Sequence, residues 1–223
     1  MMSPRPLRTH QQRLANLVAA MAAGEATARD ILAAVTPGGG KSLLPVIAAA
    51  RLIEAGVIER VCWIVPRDSL RLQAEEAFTD PVWRTILGHD LSVRAADNTA
   101  DPGRGLAGYI TTYQGVAAAP DLHLREMRRY RTLLVVDEVH HLPALADTDP
   151  DAARAAVPDD EQASAWSQAI LPLLECAAVR LLLSGTLERA DGKAILWLPY
   201  RKGARARTRE IELDAPGLSL IHI

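Results

Sequence analysis

The residues best suited to chemistry form a glycine-rich run, Thr36-Pro37-Gly38-Gly39-Gly40-Lys41-Ser42, directly after a short apolar stretch. Three consecutive glycines let the backbone curl tightly, so that its N–H groups can face a phosphate. Lys41 would add a point charge for the β- and γ-phosphates of a nucleotide, and Ser42 a hydroxyl for Mg²⁺. Lysine occurs at only two other positions, 193 and 202, which favours phosphate binding over a plain glycine turn.

A second group, Asp137-Glu138-Val139-His140, follows the apolar run 133–136. An acidic side chain at the end of a strand can hold Mg²⁺ through water, and its neighbour can activate an attacking water. We therefore expect Asp137 to be the metal residue and Glu138 the general base. His140 and His141 could also be zinc ligands, but adjacent side chains diverge and no cysteine or third histidine is near them in sequence.

Both groups are positioned by alternating apolar runs and helical patterns. The runs at 31–35, 61–65, 109–112, 133–136 and 179–183 predict buried strands. Helical patterns occur at 43–55, 69–78, 116–130 and 161–177, with a further amphipathic pattern near residues 14–21. This alternation predicts an α/β fold with a mostly parallel sheet covered by helices on both faces. Ligands of such sheets bind at the carboxyl ends of the strands, where both groups lie.

Together the two motifs resemble those of a P-loop NTPase. Over about residues 7–200, the chain looks like the first RecA-like domain of a superfamily 2 helicase or translocase of the DExH kind. In that family the glycine-rich motif often lacks its first glycine, in agreement with Val35 here. The resemblance implies ATP held by residues 36–42, and Mg²⁺ held by Ser42 and, through water, by Asp137. It also implies catalytic roles for Lys41, Asp137, Glu138 and His140.

Four further segments carry the same resemblance in the family's order. Residues 7–11 are similar to an adenine-reading segment, in which Gln11 would hydrogen-bond the base and Arg8 would help to position it. Two segments, 65–73 and 109–113, resemble those that contact the nucleic-acid backbone. The implied contacts come from Pro66, Arg67, Ser69, Gln73, Thr111 and Thr112. Contacts to phosphates position a strand without reading its sequence. Ser184-Gly185-Thr186 resembles the motif that couples ATP turnover to movement on the strand.

The resemblance also suggests a division of the chain. We expect residues 1–30 to form an N-terminal helix with the adenine-reading segment, and 31–200 the RecA-like ATP-binding domain. A superfamily 2 motor closes its ATP site with arginines from a second RecA-like domain. Nothing after Tyr200 is long enough for that domain, so 201–217 would begin a linker to it. Residues 218–223 match a translated transposon-end adapter from sequencing libraries, so we expect them to be foreign and assign no function to His222.

Charged segments outside these motifs have two interpretations each. Arg125, Arg128, Arg129 and Arg131 are either a second electrostatic contact with nucleic acid or a solvated helix face. The basic residues Arg201, Lys202, Arg205, Arg207 and Arg209 are either a similar contact or part of the linker. Residues 147–161 carry six aspartates or glutamates and are expected to form a solvated loop.

Composition narrows the class of protein. A chain of 223 residues, 49% hydrophobic and 23% charged, can bury a substantial core, which excludes disorder over most of its length. No run of about 20 apolar residues is present, so we expect no membrane span. The N-terminal arginines only loosely resemble a signal peptide, since Asn16 interrupts the apolar run, and the expected location is cytoplasmic. Cys62 and Cys176 are expected to be reduced core residues.

The function predicted from these patterns is ATP hydrolysis coupled to unwinding or translocation on nucleic acid, with this segment alone inactive as a helicase. The run 184–189 and the Thr-Pro-Gly loop look more like restriction-associated and phage-type DNA helicases, which favours DNA over RNA. One alternative is a half-motor or adaptor that binds ATP and nucleic acid without turnover. Another is a small-molecule kinase or transporter ATPase, which would leave His140 and residues 184–186 unexplained.

Overall fold

The structure, a computed structural model, describes residues 6–145, 161–202 and 209–222. Its strands are β1 (Asp30–Ala34), β2 (Arg60–Val65), β3 (Val93–Ala95), β4 (Gly108–Thr112), β5 (Thr132–Asp137), β6 (Val179–Ser184), β7 (Tyr200–Lys202), β8 (Arg209–Ile211) and β9 (Leu218–His222). Within the described segments, seven strands form one sheet in the order β3-β4-β2-β5-β6-β1-β9, with every neighbouring pair parallel. Strands β7 and β8 form a separate antiparallel pair.

Helices cover both faces of this sheet. They are α1 (Thr9–Ala22), α2 (Leu43–Glu54), α3 (Ser69–Thr79), α4 (Pro81–Leu87), α5 (Tyr113–Ala118), α6 (Pro120–Arg129) and α7 (Glu161–Cys176). One core cluster joins α1, α2 and α3 to the sheet through residues such as Leu14, Ile47 and Phe78. The other joins α5, α6 and α7 to the opposite face through residues such as Val116 and Ile170. The predicted α/β architecture is therefore confirmed.

Strand β2 shows why these strands are apolar along their whole length. Its side chains alternate between the two faces, so that Trp63 lies in the first core cluster and Cys62 and Ile64 lie in the second. Because both faces are covered by helices, neither set of side chains can be polar. The five predicted strands correspond to β1, β2, β4, β5 and β6, each within one residue at either end.

The prediction of a single helix over 116–130 was wrong. Helix α5 ends at Ala118, and α6 begins at Pro120. Proline lacks an N–H and clashes with the preceding turn inside a helix, but it suits the first helical position. The intervening Ala119 has φ −145° and ψ 57°, which is not helical. The break lets the chain change direction between the two helices that pack against α7.

Several smaller features were not expected from the sequence. Helix α4 and the three-residue strands β3, β7 and β8 had no prediction. Cys62 is buried as expected, but the prediction for Cys176 was wrong, because it is exposed at the end of α7. Residues 218–222 pair in parallel with β1 as an edge strand. Most of the acidic segment (146–160), together with Arg205 and Arg207, lies outside the described residues.

The parallel arrangement brings the candidate motifs to one edge of the sheet. The glycine-rich run follows β1, Pro66 follows β2, Glu138 follows β5 and Gly185 follows β6. Since all these strands point the same way, their carboxyl ends meet at that edge. Within the described segments, no helix is long and apolar enough to cross a membrane.

Candidate functional site

The glycine-rich loop between β1 and α2 has a shape that only glycine adopts easily. Gly38 and Gly40 have φ values of +77° and +80°, which lie in the left-handed region. The Gly39 N–H donates to the Thr36 carbonyl at 2.9 Å and closes a tight turn. A Cβ at Gly40 would lie only 2.8 Å from Gln11 Nε2. The local sequence thus dictates a curled loop that ends where α2 begins.

Arg8 and Gln11 hold this loop from the beginning of α1. Arg8 Nη1 donates to the Gly38 carbonyl at 2.9 Å, and Gln11 Nε2 donates to the Gly40 carbonyl at 3.1 Å. The Gln11 side chain also accepts from the Arg8 backbone N–H at 2.9 Å. Both residues thus contact the glycine-rich loop, and their role in holding an adenine base remains a prediction.

Lys41 connects the loop to the acidic pair. Its Nζ lies 2.9 Å from Asp137 Oδ1 and hydrogen-bonds Glu138 Oε1. Burial disfavours the charged ammonium, but the two carboxylates outweigh burial and the pKa of Lys41 is raised. Burial raises the pKa of Asp137 despite the nearby lysine. Burial alone would raise the pKa of Glu138, but the hydrogen bonds from Lys41 and the Gly185 N–H outweigh burial, so the pKa of Glu138 is lowered.

Glu138 occupies an unusual backbone conformation. Its φ of 54° and ψ of 50° are left-handed, which costs a non-glycine residue on the order of 1–3 kcal/mol. The buried Tyr113 hydroxyl supports this turn by donating to the Asp137 carbonyl and lies 3.2 Å from the Glu138 carbonyl. On the side-chain end, the Gly185 N–H donates to Glu138 Oε2 at 3.1 Å. Both ends of Glu138 are thus fixed by residues from other elements.

His140 connects the acidic pair to the end of β6. Its Nδ1 lies 2.8 Å from Ser184 Oγ and 3.3 Å from Glu138 Oε2. Because the Ser184 hydroxyl donates to the Thr186 carbonyl, Ser184 Oγ is left to accept from His140 Nδ1–H. Burial lowers the pKa of His140, and Lys41 and Arg189 add to this against the opposing effect of Glu138. The network thus favours a neutral imidazole with its proton on Nδ1.

Two residues in this network were not among the predicted site residues. Arg189 Nη1 donates to the His140 carbonyl at 2.7 Å, while its Nε and Nη2 bind Asp191 at 3.0 and 2.6 Å. Tyr113 lies under the acidic turn, as described above. Tyr113 belongs to the segment 109–113, which was predicted to contact nucleic acid, and Arg189 belongs to the run 184–189, which favoured DNA over RNA. Their contacts could not be read from the sequence, since they form between distant segments.

The predicted nucleic-acid contacts fall into two groups. Pro66, Arg67 and Ser69 line a cleft of about 510 Å³ together with Glu138 and Gly185. The cleft therefore brings the first segment predicted to contact nucleic acid next to the candidate ATP residues.

The remaining predicted contacts are not among the residues that line this cleft. Gln73 is exposed on α3. Thr111 is only 1% exposed, and the Thr112 hydroxyl accepts from the Gly115 N–H at 2.9 Å, capping α5. Thr112 is therefore committed to a local structural bond.

The oxygen donors at the site suit Mg²⁺. Ser42, at the start of α2, is exposed and makes no capping hydrogen bond, and Asp137 supplies a carboxylate. Mg²⁺ prefers hard oxygen ligands and is usually held by one or two side chains together with substrate phosphates. For the zinc alternative, the rings of His140 and His141 lie 4.4 Å apart. The described part of the chain contains no cluster of three or more His, Cys, Asp or Glu residues placed to hold a metal.

Comparison with known proteins decides the family. Residues 5–189 match the family described as type III restriction enzyme, res subunit. The chain belongs to this family. It is an N-terminal RecA-like domain of a superfamily 2 helicase, as the motifs predicted.

Curated relatives of this res-subunit domain include two mycobacterial proteins described as uncharacterized. One, from Mycobacterium leprae (strain TN), is 31% identical over 217 residues, which cover 96% of this chain and 29% of that protein. Another, from Mycobacterium tuberculosis (strain H37Rv), is 30% identical over 176 residues, which cover 79% of this chain and 25% of that protein. The chain thus spans less than a third of the length of these relatives.

Solved structures with the same fold include two motor proteins. The SWI2/SNF2 ATPase core of Sulfolobus solfataricus, in complex with double-stranded DNA, matches with a TM-score of 0.55 and 16% identity, over 83% of this chain and 34% of that one. The UvsW helicase of bacteriophage T4 matches with a TM-score of 0.54 and 19% identity, over 86% of this chain and 55% of that one. At these identities the likeness shows the fold of the res-subunit domain.

Proposed function

We propose that this domain is the ATP-hydrolysing half of a nucleic-acid-dependent helicase or translocase. The observation that carries the proposal is the meeting of three motifs at Glu138. Lys41 of the glycine-rich loop binds one of its carboxylate oxygens, and the Gly185 N–H binds the other. A loop suited to phosphates, a candidate base and a candidate coupling motif are thereby in direct contact.

In the proposed mechanism, Lys41 exchanges its carboxylate partners for the β- and γ-phosphates of ATP. The loop N–H groups other than that of Gly39, which already donates to the Thr36 carbonyl, orient the phosphates, and Arg8 and Gln11 position the base. Mg²⁺, when bound, neutralises charge that develops on the phosphates, and Ser42 and Asp137 would hold it. Glu138, with its lowered pKa, is ionised at neutral pH and accepts the proton of the attacking water.

The proposed coupling to nucleic acid runs through the shared cleft. Arg67 and Ser69, which would contact phosphates of the strand, line this cleft together with Glu138. His140 and Ser184 connect Glu138 to β6, and Arg189 holds the His140 carbonyl. A shift of the loop that carries Arg67 and Ser69 would therefore change the position of Glu138, the residue proposed to activate water.

We further propose DNA as the preferred nucleic acid. This preference is supported by the run 184–189 and by the description of the family as a restriction-enzyme subunit. Arginines from a second RecA-like domain in a longer parent chain would complete the ATP site, and the domain alone would then be inactive as a helicase. The alternative of an adaptor without turnover predicts ATP binding with no hydrolysis, whether or not DNA is present.

The test is an ATPase assay with Mg²⁺, with and without double-stranded DNA, single-stranded DNA and RNA. It would be performed on this chain and on a longer chain that includes the following segment of the source gene. We expect the longer chain to hydrolyse ATP faster with DNA than with RNA, and this chain to bind ATP with little turnover. Binding of ATP by neither chain would refute the proposal, and binding without DNA-stimulated turnover in the longer chain would favour the adaptor.

The proposed division of the chain needs a different measurement. We propose that residues 201–217 begin a linker and that 218–223 derive from adapter DNA, although 218–222 pair with β1. Sequencing the source DNA beyond the codon for Pro216 tests both parts. An open frame that continues into an arginine-bearing second domain is the expected result, whereas native codons for residues 218–223 would contradict the adapter origin.

A further inference from the structure

Five arginines form a patch at the edge of the sheet opposite the candidate ATP site. This arginine patch consists of Arg60, Arg125, Arg128, Arg129 and Arg131. Arg60 opens β2, Arg131 directly precedes β5, and the Arg60 N–H donates to the Arg131 carbonyl at 3.3 Å. A six-residue strand is about 20 Å long. The patch is therefore separated from Asp137, at the far end of β5, by about the height of the sheet.

Tyr130 holds two of these arginines in place. The Arg60 Cζ lies 4.6 Å from the centre of the Tyr130 ring, and the Arg129 Cζ lies 5.1 Å from it. A guanidinium that stacks on an aromatic ring keeps its N–H edges available for a phosphate and has less freedom to lose on binding. The sequence had grouped arginines 125, 128, 129 and 131, but gave no sign that Arg60 and Tyr130 join them.

Ion pairing does not occupy the three arginines of α6 in the part of the chain that the structure describes. Arg125, Arg128 and Arg129 are exposed, and none forms an ion pair with any residue that the structure describes. By contrast, Arg51 and Arg71 pair with carboxylates at 3.0 and 2.5 Å. A helix face adapted only to water commonly carries ion pairs one turn apart. The α6 arginines therefore keep their hydrogen-bonding capacity for another molecule.

Acidic groups near the patch are fewer than its arginines. Glu59 lies 3.6 Å from Arg131. Glu126 lies among Arg60, Arg125 and Arg129, and Asp101 lies close to Glu126. On α6 itself, Asp121 lies one turn before Arg125. Five guanidinium groups thus face four carboxylates, which leaves a net positive surface. Its natural complement is a polyanion whose phosphates can accept two N–H bonds from each arginine.

We propose that the arginine patch binds the phosphate backbone of nucleic acid as a second contact, separate from the cleft at the ATP site. Contacts of this kind to phosphates position a nucleic acid without reading its sequence. It holds a part of the nucleic acid that lies beyond the motor cleft. The inference rests on the proposed function only in that both involve nucleic acid.

The test compares two triple variants that lose the same charge. The patch variant is Arg125→Gln/Arg128→Gln/Arg129→Gln, and the matched control is Arg13→Gln/Arg29→Gln/Arg51→Gln, which alters exposed or half-exposed arginines on other elements. Binding of a fluorescent DNA duplex of arbitrary sequence is measured by anisotropy over a series of KCl concentrations. Each phosphate contact contributes about 0.9 to the slope of log K against log salt. We expect the patch variant to lose about 2 to 3 units of slope and the control to keep the slope of the unmodified chain.

An unchanged slope in the patch variant, or an equal loss in the control, would overturn the proposal and would leave an acidic protein as the candidate partner. Thermal unfolding by circular dichroism checks that both variants fold. If the triple variant does not fold, Arg128→Glu replaces it, because Arg128 is exposed; we expect its affinity at low salt to fall about 3- to 10-fold.

The two proposals fail separately in these assays. If the patch variant has a smaller salt slope but the parent chain shows no DNA-stimulated ATP turnover, the proposed function is wrong and the patch proposal is supported. If the parent chain shows DNA-stimulated turnover but the salt slope of the patch variant is unchanged, the proposed function is supported and the patch proposal is wrong. Failure of this chain to bind DNA at any salt concentration would overturn the patch proposal, and the additional absence of DNA-stimulated turnover in the longer chain would overturn both.

Discussion

Lys41 Nζ lies 2.9 Å from Asp137 Oδ1, so the cation of the glycine-rich loop is in direct contact with the acidic pair across the end of the sheet. Any phosphate that binds Lys41 must therefore compete with two carboxylates. The same arrangement explains why the pKa of Lys41 is raised even though burial acts against the charge. The lysine remains charged at any pH at which the protein would be assayed.

Replacing Lys41 by alanine should abolish ATP turnover in the parent chain. The phosphates would lose their point charge, and removal of such a transition-state contact costs about 10²- to 10³-fold in rate. The measurement is steady-state release of phosphate with saturating DNA. Lys193→Ala removes the same charge outside the glycine-rich loop and should keep turnover within about twofold. Full activity in the Lys41 variant would remove this residue from the mechanism.

Replacing Glu138 by glutamine should separate ATP binding from hydrolysis. The amide keeps the shape of the side chain but cannot accept a proton, and a general base typically contributes 10²- to 10⁴-fold to a rate. We expect ATP affinity within about threefold of the unmodified chain and turnover lower by about a hundredfold or more. Equilibrium binding of a fluorescent ATP analogue and phosphate release give the two quantities. Glu188→Gln, at an exposed position beyond β6, is the matched control.

Replacing Ser184 by alanine should weaken the coupling between the strand and hydrolysis. The change removes the 2.8 Å contact with His140 and two bonds within the 184–186 turn. DNA stimulation of ATP turnover is expected to fall about tenfold, because the bond to His140 alone contributes about 1–1.5 kcal/mol to the coupling. Basal turnover is expected to stay within about threefold. The control is Ser164→Ala on α7. Equal losses of basal and stimulated turnover would contradict a coupling role.

The buried His123 should make the fold sensitive to mild acid. It is 1% exposed, with Nδ1 3.1 Å from the Tyr109 hydroxyl and Nε2 3.1 Å from Asn98 Oδ1. Burial lowers its pKa from 6.5 to about 4. Between these values the unfolded chain binds a proton that the folded chain does not, so stability falls as the pH drops below 6.5. We expect a loss of about 2 kcal/mol from this residue between pH 7 and pH 5.

Urea unfolding at pH 7 and pH 5 measures this loss. The comparison is with His123→Gln, which is expected to be less stable at pH 7 but to lose about 2 kcal/mol less on acidification. Two other histidines, the buried His10 and the half-buried His89, have lowered pKa values and contribute in the same direction in both proteins. An identical pH dependence of the two proteins would show that His123 does not control it.

The sequence predicted the strands and the edge of the site well because burial on both faces leaves a clear apolar signal. It missed β3, whose three residues are too short for any period to show. It joined α5 and α6 because apolar periodicity continues past Pro120, although the proline itself indicated the break. These errors concern connections between elements, where local backbone chemistry outweighs the hydrophobic pattern.

The site itself was only partly predictable. Lys41, Ser42, Asp137 and Glu138 stand in recognisable local patterns. The Tyr113 contact with the acidic turn spans 24 residues, and Arg189 meets the His140 carbonyl across 49. Such contacts depend on how strands and helices are ordered in space. Nothing in the sequence indicated the left-handed backbone of Glu138, because glutamate does not favour that conformation.

The left-handed turn at Glu138 has a consequence for laboratory evolution. Glycine, and to a lesser degree asparagine, adopts this backbone at lower cost than glutamate. A selection for heat resistance alone should therefore enrich replacements at position 138 and yield robust but inert descendants. Deep mutational scanning with separate selections for abundance and for activity would then rank the same substitution in opposite order. Such a result would identify position 138 as a site where stability is lower than it could be because activity requires glutamate.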